Sequence, residues 1–224
     1  KKIKRKKSIF VETGAGASTL ILLFYAMKNN GVLYSWEINQ EKTSQLRLLF
    51  TETISKYFDK DINKHWKSVN YISTSNKAGI SILNELNIKI DLFFHDSDHV
   101  LNVLIDEITP LINIFQKPAY ICIDDANYSF KHTNISYANM VRKKIGLRAL
   151  QNTADNKCDY LYNEVEKILI NNFKEVKKIK DSYKLEYSND IYFKYFNNDF
   201  NIKTLLGMEI KKKLKHRFDC WKVT

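Results

Sequence analysis

A loop of small residues lies between the first apolar run of the chain and the first amphipathic stretch. It reads Val11-Glu12-Thr13-Gly14-Ala15-Gly16-Ala17-Ser18. Gly14 and Gly16 lack a Cβ atom, so a ligand can approach the main chain closely and positive φ angles are accessible. A helix that begins near Ser18 would turn its unpaired N–H groups toward the same ligand. The pattern predicts a binding loop for an adenine-containing cofactor.

Two carboxylates flank this loop. Glu12 lies near the start of the loop, two residues before Gly14, and Glu37 ends the second apolar run. A carboxylate in the second position can accept hydrogen bonds from ribose hydroxyls, and the alternative is an exposed acid at a strand end. The dinucleotide fingerprint also requires a Gly or Ala three residues after Gly16, where this chain has Thr19. Because acids tolerate a cationic sulfonium better than a pyrophosphate, the charges favour S-adenosylmethionine over NAD or FAD.

Two acidic clusters follow later apolar runs. The first is His95-Asp96-Ser97-Asp98-His99, and the second is Asp124-Asp125. Parallel strands bind ligands outside their carboxyl ends, so both clusters should lie at the edge that carries the glycine loop. Crowded carboxylates repel one another, and a hard divalent cation relieves that repulsion. Asp96, Asp124 and Asp125 are therefore candidate Mg²⁺ ligands, unless these acids instead cap the helices that follow them.

His99 and Asp98 are the candidate catalytic residues. An imidazole titrates near neutral pH and can accept the proton of a hydroxyl group as that hydroxyl attacks a methyl carbon. Asp98 is the second candidate proton acceptor, and its alternative role is the N-cap of a helix near Leu101. His99 has an alternative role as a hydrogen-bonding residue in a polar loop. His95 still belongs to the preceding apolar run, so we expect it to be structural.

Short apolar runs alternate with amphipathic stretches, which is typical of βαβ units and a mostly parallel sheet. The predicted strands are Ser8–Glu12, Gly31–Glu37, Ser68–Ile72, Ile90–His95, Ala119–Ile123, and a closing antiparallel pair at Glu175–Asp181 and Asp190–Tyr195. The predicted helices are Ser18–Asn29, Gln40–Tyr57, Ala78–Leu86, Leu101–Phe115 with a break at Pro110, Asp159–Phe173, and a basic helix before the extended C-terminal end. We expect one domain over residues 1–224, with the cofactor and metal half at 8–127 and a lid segment, closing strands and a basic extension at 128–224.

Charge and composition restrict the class of protein. The net charge is +11, and the excess lies in Lys1–Lys7, Lys174–Lys184 and Lys203–Arg217, whereas Ser8–Asn172 is close to neutral. Basic ends suit weak contact with a nucleic acid or an anionic surface, or they are solvated lysines that maintain solubility. The three cysteines are widely spaced, which predicts reduced thiols without a zinc site. With no apolar run of membrane length, we expect a cytoplasmic protein and leave its oligomeric state open.

Taken together, the motifs resemble a known enzyme family. The loop at Glu12–Ser18, Trp36-Glu37, Asp96-Ser97-Asp98-His99 and Asp124-Asp125 are similar to the class I S-adenosylmethionine-dependent methyltransferases of the cation-dependent O-methyltransferase type. Within these, the pattern resembles the methyltransferase 24 group, which includes sugar O-methyltransferases and whose fourth strand ends in Asp-Gly-Asp-His. The resemblance covers Ile9–Asn127, with Ser97 in place of the usual Gly.

The resemblance implies a Rossmann-like, doubly wound α/β fold, with seven mostly parallel strands, an antiparallel last strand and helices on both faces. It implies S-adenosylmethionine as the methyl donor and O-methylation of a small hydroxylated acceptor. Glu37 would bind the ribose, Ser75 would lie near the adenine, and His99 matches a position that carries a basic residue in several relatives. The metal ligands it implies are Asp96, Asp124 and Asp125. Two alternatives are a nucleotide-dependent oxidoreductase and a degenerate methyltransferase-like domain that binds nucleic acid.

Overall fold

The computed structural model describes residues 7–97, 101–124, 161–179 and 219–224. Their apolar runs form a seven-stranded sheet. Its strands are β1 (Ile9–Thr13), β2 (Val32–Trp36), β3 (Trp66–Val69), β4 (Ile90–His95), β5 (Phe115–Ile123), β6 (Val176–Lys178) and β7 (Asp219–Val223). Each of the strands β1 to β5 overlaps its predicted range, and the bounds of β4 agree at both ends.

The strand order across the sheet is β3-β2-β1-β4-β5-β7-β6. The pairs β2–β3, β1–β2, β1–β4 and β4–β5 are parallel, whereas β7 runs antiparallel to both β5 and β6. Strands β2 and β3 follow β1 on one side of the sheet, and β4 and β5 lie on its other side. The topological switch point, where α/β folds bind their ligands, therefore lies between the carboxyl ends of β1 and β4. This order confirms the predicted fold class.

The helices connect these strands. They are α1 (Ala17–Lys28), α2 (Gln40–Phe50), α3 (Lys56–Phe58), α4 (Ile62–His65), α5 (Ile82–Glu85), α6 (Leu101–Ile108) and α7 (Leu161–Asn172). A π-helical turn at Thr51–Ser55 joins α2 to α3, and a 3₁₀ turn at Thr109–Ile114 follows α6. Pro110 lies at the start of that turn and lacks an N–H group, which explains the predicted helix break. Within the described part of the chain, no helix is long and apolar enough to cross a membrane.

Two apolar clusters show that helices cover both faces of the sheet. Successive side chains of a strand point to opposite faces, and in β1 Val11 belongs to one cluster while Phe10 packs against the other. The first cluster contains Leu104 of α6 and Leu169 of α7. The second contains Leu23 and Met27 of α1 and Phe50 of α2. The strands are consequently buried between helices, and their functional groups are accessible from the carboxyl ends.

The predicted closing pair differs from the one that the structure shows. β6 pairs with β7, which comes from the predicted extended C-terminal end, and β7 lies between β5 and β6. This position fully buries Trp221 and Val223, so the C-terminal end gains apolar contacts in the interior of the sheet. The predicted strand at Asp190–Tyr195 and the predicted basic helix before β7 lie outside the described residues.

Two other elements also differ from their predicted extent. The helix predicted at Ala78–Leu86 is reduced to α5, because Gly79 N–H donates to the carbonyl of Ser75 at 3.0 Å and so belongs to the preceding turn. β5 begins at Phe115, four residues before its predicted start, because Phe115 already pairs with Ile90 of β4.

Cys122 and Cys220 lie directly opposite each other on β5 and β7, with their Sγ atoms 2.7 Å apart. Both are free thiols. Their wide separation in the sequence did not predict this contact, because the position of β7 beside β5 is a long-range feature of the fold.

Candidate cofactor site

The glycine loop passes beside the main chain that leaves β4. Gly14 has a φ angle of 82°, and a Cβ atom added there would lie 1.9 Å from the carbonyl oxygen of Asp96. Only glycine fits this position, because a side chain would make the positive φ angle unfavourable and would collide with the Asp96 carbonyl. Gly16 differs from our expectation, because its φ of −178° is extended backbone that any residue adopts. A Cβ atom at Gly16 would meet no atom within 4 Å.

Three successive amides of the loop already donate to acceptors of the protein. Gly14 N–H donates to the carbonyl of Trp36 at 2.8 Å, and Ala15 N–H donates to Glu37 Oε2 at 3.3 Å. Gly16 N–H donates to Thr19 Oγ1 at 2.8 Å. Thr19 is the residue that replaces the third small residue of the dinucleotide fingerprint. The loop therefore differs from a phosphate-binding loop, in which such amides point at the anion.

Glu37 follows β2 and is 9% exposed, so the alternative interpretation as an exposed acid is wrong. Its Oε1 accepts from Asn39 N–H at 2.9 Å, and its Oε2 accepts from Lys42 Nζ at 2.8 Å in addition to Ala15. A carboxylate offers about four lone-pair sites, of which three are used here. Lys42 is 46% exposed and can turn toward solvent. The carboxylate can then accept two hydrogen bonds, as a ribose diol would require.

Glu12 lies beneath the loop and is fully buried. Its Oε1 accepts from Ser35 Oγ at 2.6 Å, and its Oε2 lies 3.3 Å from Ser18 Oγ. Burial raises the pKa of Glu12 to about 7. Ser35 of β2 and both Ser18 and Thr19 of α1 hydrogen bond to this carboxylate. Ser18 connects it to the site, because Ser18 Oγ also lies 3.4 Å from Asp96 Oδ2.

Asp96 and Asp124 follow the neighbouring strands β4 and β5, and the structure brings them together as predicted. Asp124 N–H donates to the carbonyl of His95 at 2.9 Å, and the two carboxyl groups are hydrogen bonded to each other. Burial, together with the negative charge of Asp124, raises the pKa of Asp96 to about 7. Two carboxyl groups in contact either share a proton or bind a cation.

The predicted metal ligands fit a magnesium ion as far as they are described. The carboxyl groups of Asp96 and Asp124 are hard oxygen donors, and Mg²⁺ is commonly held by one or two carboxylates while water and substrate complete its shell. The described residues contain no group of three or more metal-binding side chains. Asp125, the predicted third ligand, lies outside the described residues, and so do the predicted catalytic residues Asp98 and His99.

Ser75 lies in the turn after β3. Its N–H donates to the carbonyl of Ile72 at 3.1 Å, and its Oγ accepts from Lys77 N–H at 3.1 Å. These hydrogen bonds stabilise the turn. The proximity of Ser75 to an adenine stays a prediction.

Sequence reasoning missed Glu107, which is fully buried on α6. Its carboxylate accepts hydrogen bonds from Thr13, Ser73, His95 and Ser97. Burial alone would raise the pKa of Glu107, but the charge of His95 and the hydrogen bonds from His95, Ser73 and Thr13 lower it below its ordinary value. The available signal was an acidic residue within an apolar helical stripe, between Leu104 and Ile108. His95 ends β4 and is fully buried, and its structural role stays a prediction.

No protein-family model matches the chain, and no curated protein matches it. Solved structures do resemble it. The MycE methyltransferase of the mycinamycin biosynthetic pathway, in complex with Mg and SAH, is 12% identical, with a TM-score of 0.41 over 74% of this chain and 36% of that chain. A candidate rRNA-methylase from Clostridium thermocellum is 9% identical, with a TM-score of 0.45 over 98% of this chain and 90% of that chain. CalS11, a TDP-rhamnose 3'-O-methyltransferase of calicheamicin biosynthesis, is 11% identical, with a TM-score of 0.42 over 62% of each chain. This chain therefore spans about a third of the length of the MycE chain.

Proposed function

We propose that the protein transfers a methyl group from S-adenosylmethionine to a hydroxyl group of a small acceptor. The observation that supports this proposal most directly is that the loop amides at the switch point donate hydrogen bonds to acceptors within the protein. Gly14, Ala15 and Gly16 all donate to protein acceptors, so these amides do not offer a pyrophosphate the hydrogen bonds that a dinucleotide site provides. An adenine cofactor without phosphates fits this loop better than NAD or FAD does.

The charge of the surrounding side chains supports the same choice. Glu12, Glu37, Asp96 and Asp124 all lie around the loop, and Lys42 pairs with Glu37. Carboxylates repel a pyrophosphate and attract a sulfonium cation. Glu37 would accept hydrogen bonds from the ribose, and Glu12 and Asp96 would lie on the side of the loop toward α1.

In the proposed reaction, S-adenosylmethionine supplies an electrophilic methyl group, and the protein aligns the acceptor hydroxyl with it. A divalent cation held by Asp96 and Asp124, with Asp125 as the predicted third ligand, would supply a Lewis acid that lowers the pKa of a nearby hydroxyl. His99 or Asp98 would accept the proton that this hydroxyl loses. The methyltransferase 24 resemblance suggests a sugar or natural product as the acceptor.

Calorimetric titration with S-adenosylhomocysteine, in the presence and absence of MgCl₂, tests the proposal before any acceptor is known. We expect S-adenosylhomocysteine to bind and NAD not to bind. Binding of NAD without binding of S-adenosylhomocysteine would contradict the proposal and support an oxidoreductase. Salt-dependent RNA binding without affinity for either cofactor would instead support the degenerate, nucleic-acid-binding alternative.

A further inference from the structure

The carboxylate of Glu107 connects three separate segments of the candidate site. Oε2 accepts from Thr13 Oγ1 at 2.8 Å and from His95 Nδ1 at 2.7 Å. Oε1 accepts from Ser97 Oγ at 2.8 Å and also from Ser73 Oγ. An ionised carboxylate only accepts hydrogen bonds, so His95 Nδ1 must carry a proton in this contact. The four donors use about all of the lone-pair sites that a carboxylate has.

Each donor lies within two residues of a residue that is predicted to belong to the site. Thr13 ends β1 and immediately precedes Gly14 of the loop. His95 and Ser97 lie on either side of Asp96, at the carboxyl end of β4. Ser73 lies two residues before Ser75, in the turn after β3. A single side chain of α6 therefore connects the loop predicted to bind the cofactor, the turn predicted to bind the metal and the turn predicted to lie near the adenine.

We propose that Glu107 is a positioning residue that sets the relative placement of the glycine loop, the Asp96 turn and the turn after β3, and thereby the affinity for the cofactor. The inference rests on the proposed function for the identity of that cofactor. Its structural part, the coupling of three segments through one carboxylate, is independent of the cofactor. Hydrogen bonds to a charged acceptor are among the stronger ones in proteins, and a buried donor that loses its acceptor is costly.

The substitution Glu107→Gln tests this inference, because glutamine has nearly the same shape but replaces one acceptor oxygen with an NH₂ group. Two of the four side chains that donate to Glu107 then face this NH₂ group, which is itself a donor. We expect the dissociation constant for S-adenosylhomocysteine to rise about ten-fold or more. We also expect faster amide hydrogen exchange in residues 13–16, 73–75 and 95–97 together. Asp106→Asn is the matched control, since Asp106 is the adjacent acid of α6 and is exposed.

A smaller change keeps the test decisive if Glu107→Gln does not fold. Thr13→Val removes one donor without changing the shape of the side chain, whereas Thr13→Ser keeps the hydroxyl group. We expect weaker binding of S-adenosylhomocysteine and faster exchange at residues 95–97 in Thr13→Val, and recovery of both in Thr13→Ser.

The outcomes separate the inference from the proposed function. If the unmodified protein binds no S-adenosylhomocysteine, the proposed function fails, and the exchange measurements still decide whether Glu107 couples the three segments. If a folded Glu107→Gln protein retains both the affinity and the exchange protection of the unmodified protein, the inference is wrong. Equal losses in Asp106→Asn would overturn it as well, because the effect would then not belong to the buried carboxylate.

Discussion

Gly14 and Asp96 are in main-chain contact across the switch point of the sheet, so close that a Cβ atom on Gly14 would lie 1.9 Å from the carbonyl oxygen of Asp96. The N–H of Asp96 in turn donates to the carbonyl of Thr13 at 2.9 Å. The glycine loop after β1 and the acidic turn after β4 therefore form one unit. A change in either segment should affect both candidate sites.

Gly14→Ala should destabilise the protein, because the new methyl group meets the Asp96 carbonyl and the φ of 82° is unfavourable for alanine. We expect the free energy of unfolding to fall by about 2 kcal/mol or more, measured by urea denaturation. Gly16→Ala is the control, since Gly16 is extended and its Cβ position is open. Equal stability of the two variants would show that the close approach is not present in solution.

Glu37→Gln should weaken the binding of S-adenosylhomocysteine by about ten-fold, because an amide replaces a charged acceptor for the ribose hydroxyls. The measurement is calorimetric titration. Glu41→Gln, an exposed acid on α2, is the matched control and should bind as the unmodified protein does. A folded Glu37→Gln protein with full affinity would remove Glu37 from the cofactor site.

The preference for S-adenosylmethionine over S-adenosylhomocysteine should increase with pH. The pKa values of Glu12 and Asp96 are raised to about 7, so both groups gain negative charge as the pH rises through that value. Only S-adenosylmethionine carries a cationic sulfur, and all other charges are common to the two ligands. We therefore expect the ratio of their affinities to rise between about pH 6 and about pH 8, measured in EDTA. A ratio that stays constant, or falls, would contradict a role for these carboxyls beside the sulfonium.

Asp124→Ala should abolish the proposed binding of a divalent cation at the strand ends, because it removes one of the two proposed ligands that the structure describes. Mn²⁺ can replace Mg²⁺ as a paramagnetic probe, and its binding can be followed by electron paramagnetic resonance. Asp106→Ala, on the exposed face of α6, should leave the binding unchanged. Once an acceptor is known, full methyl transfer in EDTA-treated protein would remove the metal from the proposed reaction.

Oxidised glutathione should join Cys122 to Cys220, because their sulfur atoms are in contact across β5 and β7. The two thiols lose two protons and two electrons to the glutathione disulfide, which leaves as two molecules of reduced glutathione. Cys158 is then the remaining free thiol of the three in the chain, which a thiol titration under denaturing conditions measures. In Cys220→Ser, we expect no such intramolecular bond between β5 and β7. Three reactive thiols after oxidation of the unmodified protein would contradict the contact.

Local patterns in the sequence predict a large part of this fold. Strands that are buried on both faces are nearly continuous apolar runs, which is why the bounds of β4 at Ile90–His95 are predicted correctly. The acids that follow β4 and β5 come together because parallel strands end at one edge of the sheet. The proximity of Asp96 and Asp124 thus follows from their places in the chain.

Other features depend on contacts between residues that are far apart in the sequence. The position of β7 between β5 and β6 results from burial of Trp221 and Val223, and it creates the contact between Cys122 and Cys220. The four hydrogen bonds of Glu107 also require side chains from three segments to meet at one carboxylate. A periodic pattern in the sequence indicates which face of an element is apolar. It does not indicate which distant side chains will donate hydrogen bonds to a buried carboxylate. The glycine loop could therefore be located from its residues. The hydrogen-bond acceptors of its amides could be identified only from the tertiary structure, and the argument that the loop does not bind a pyrophosphate depends on them.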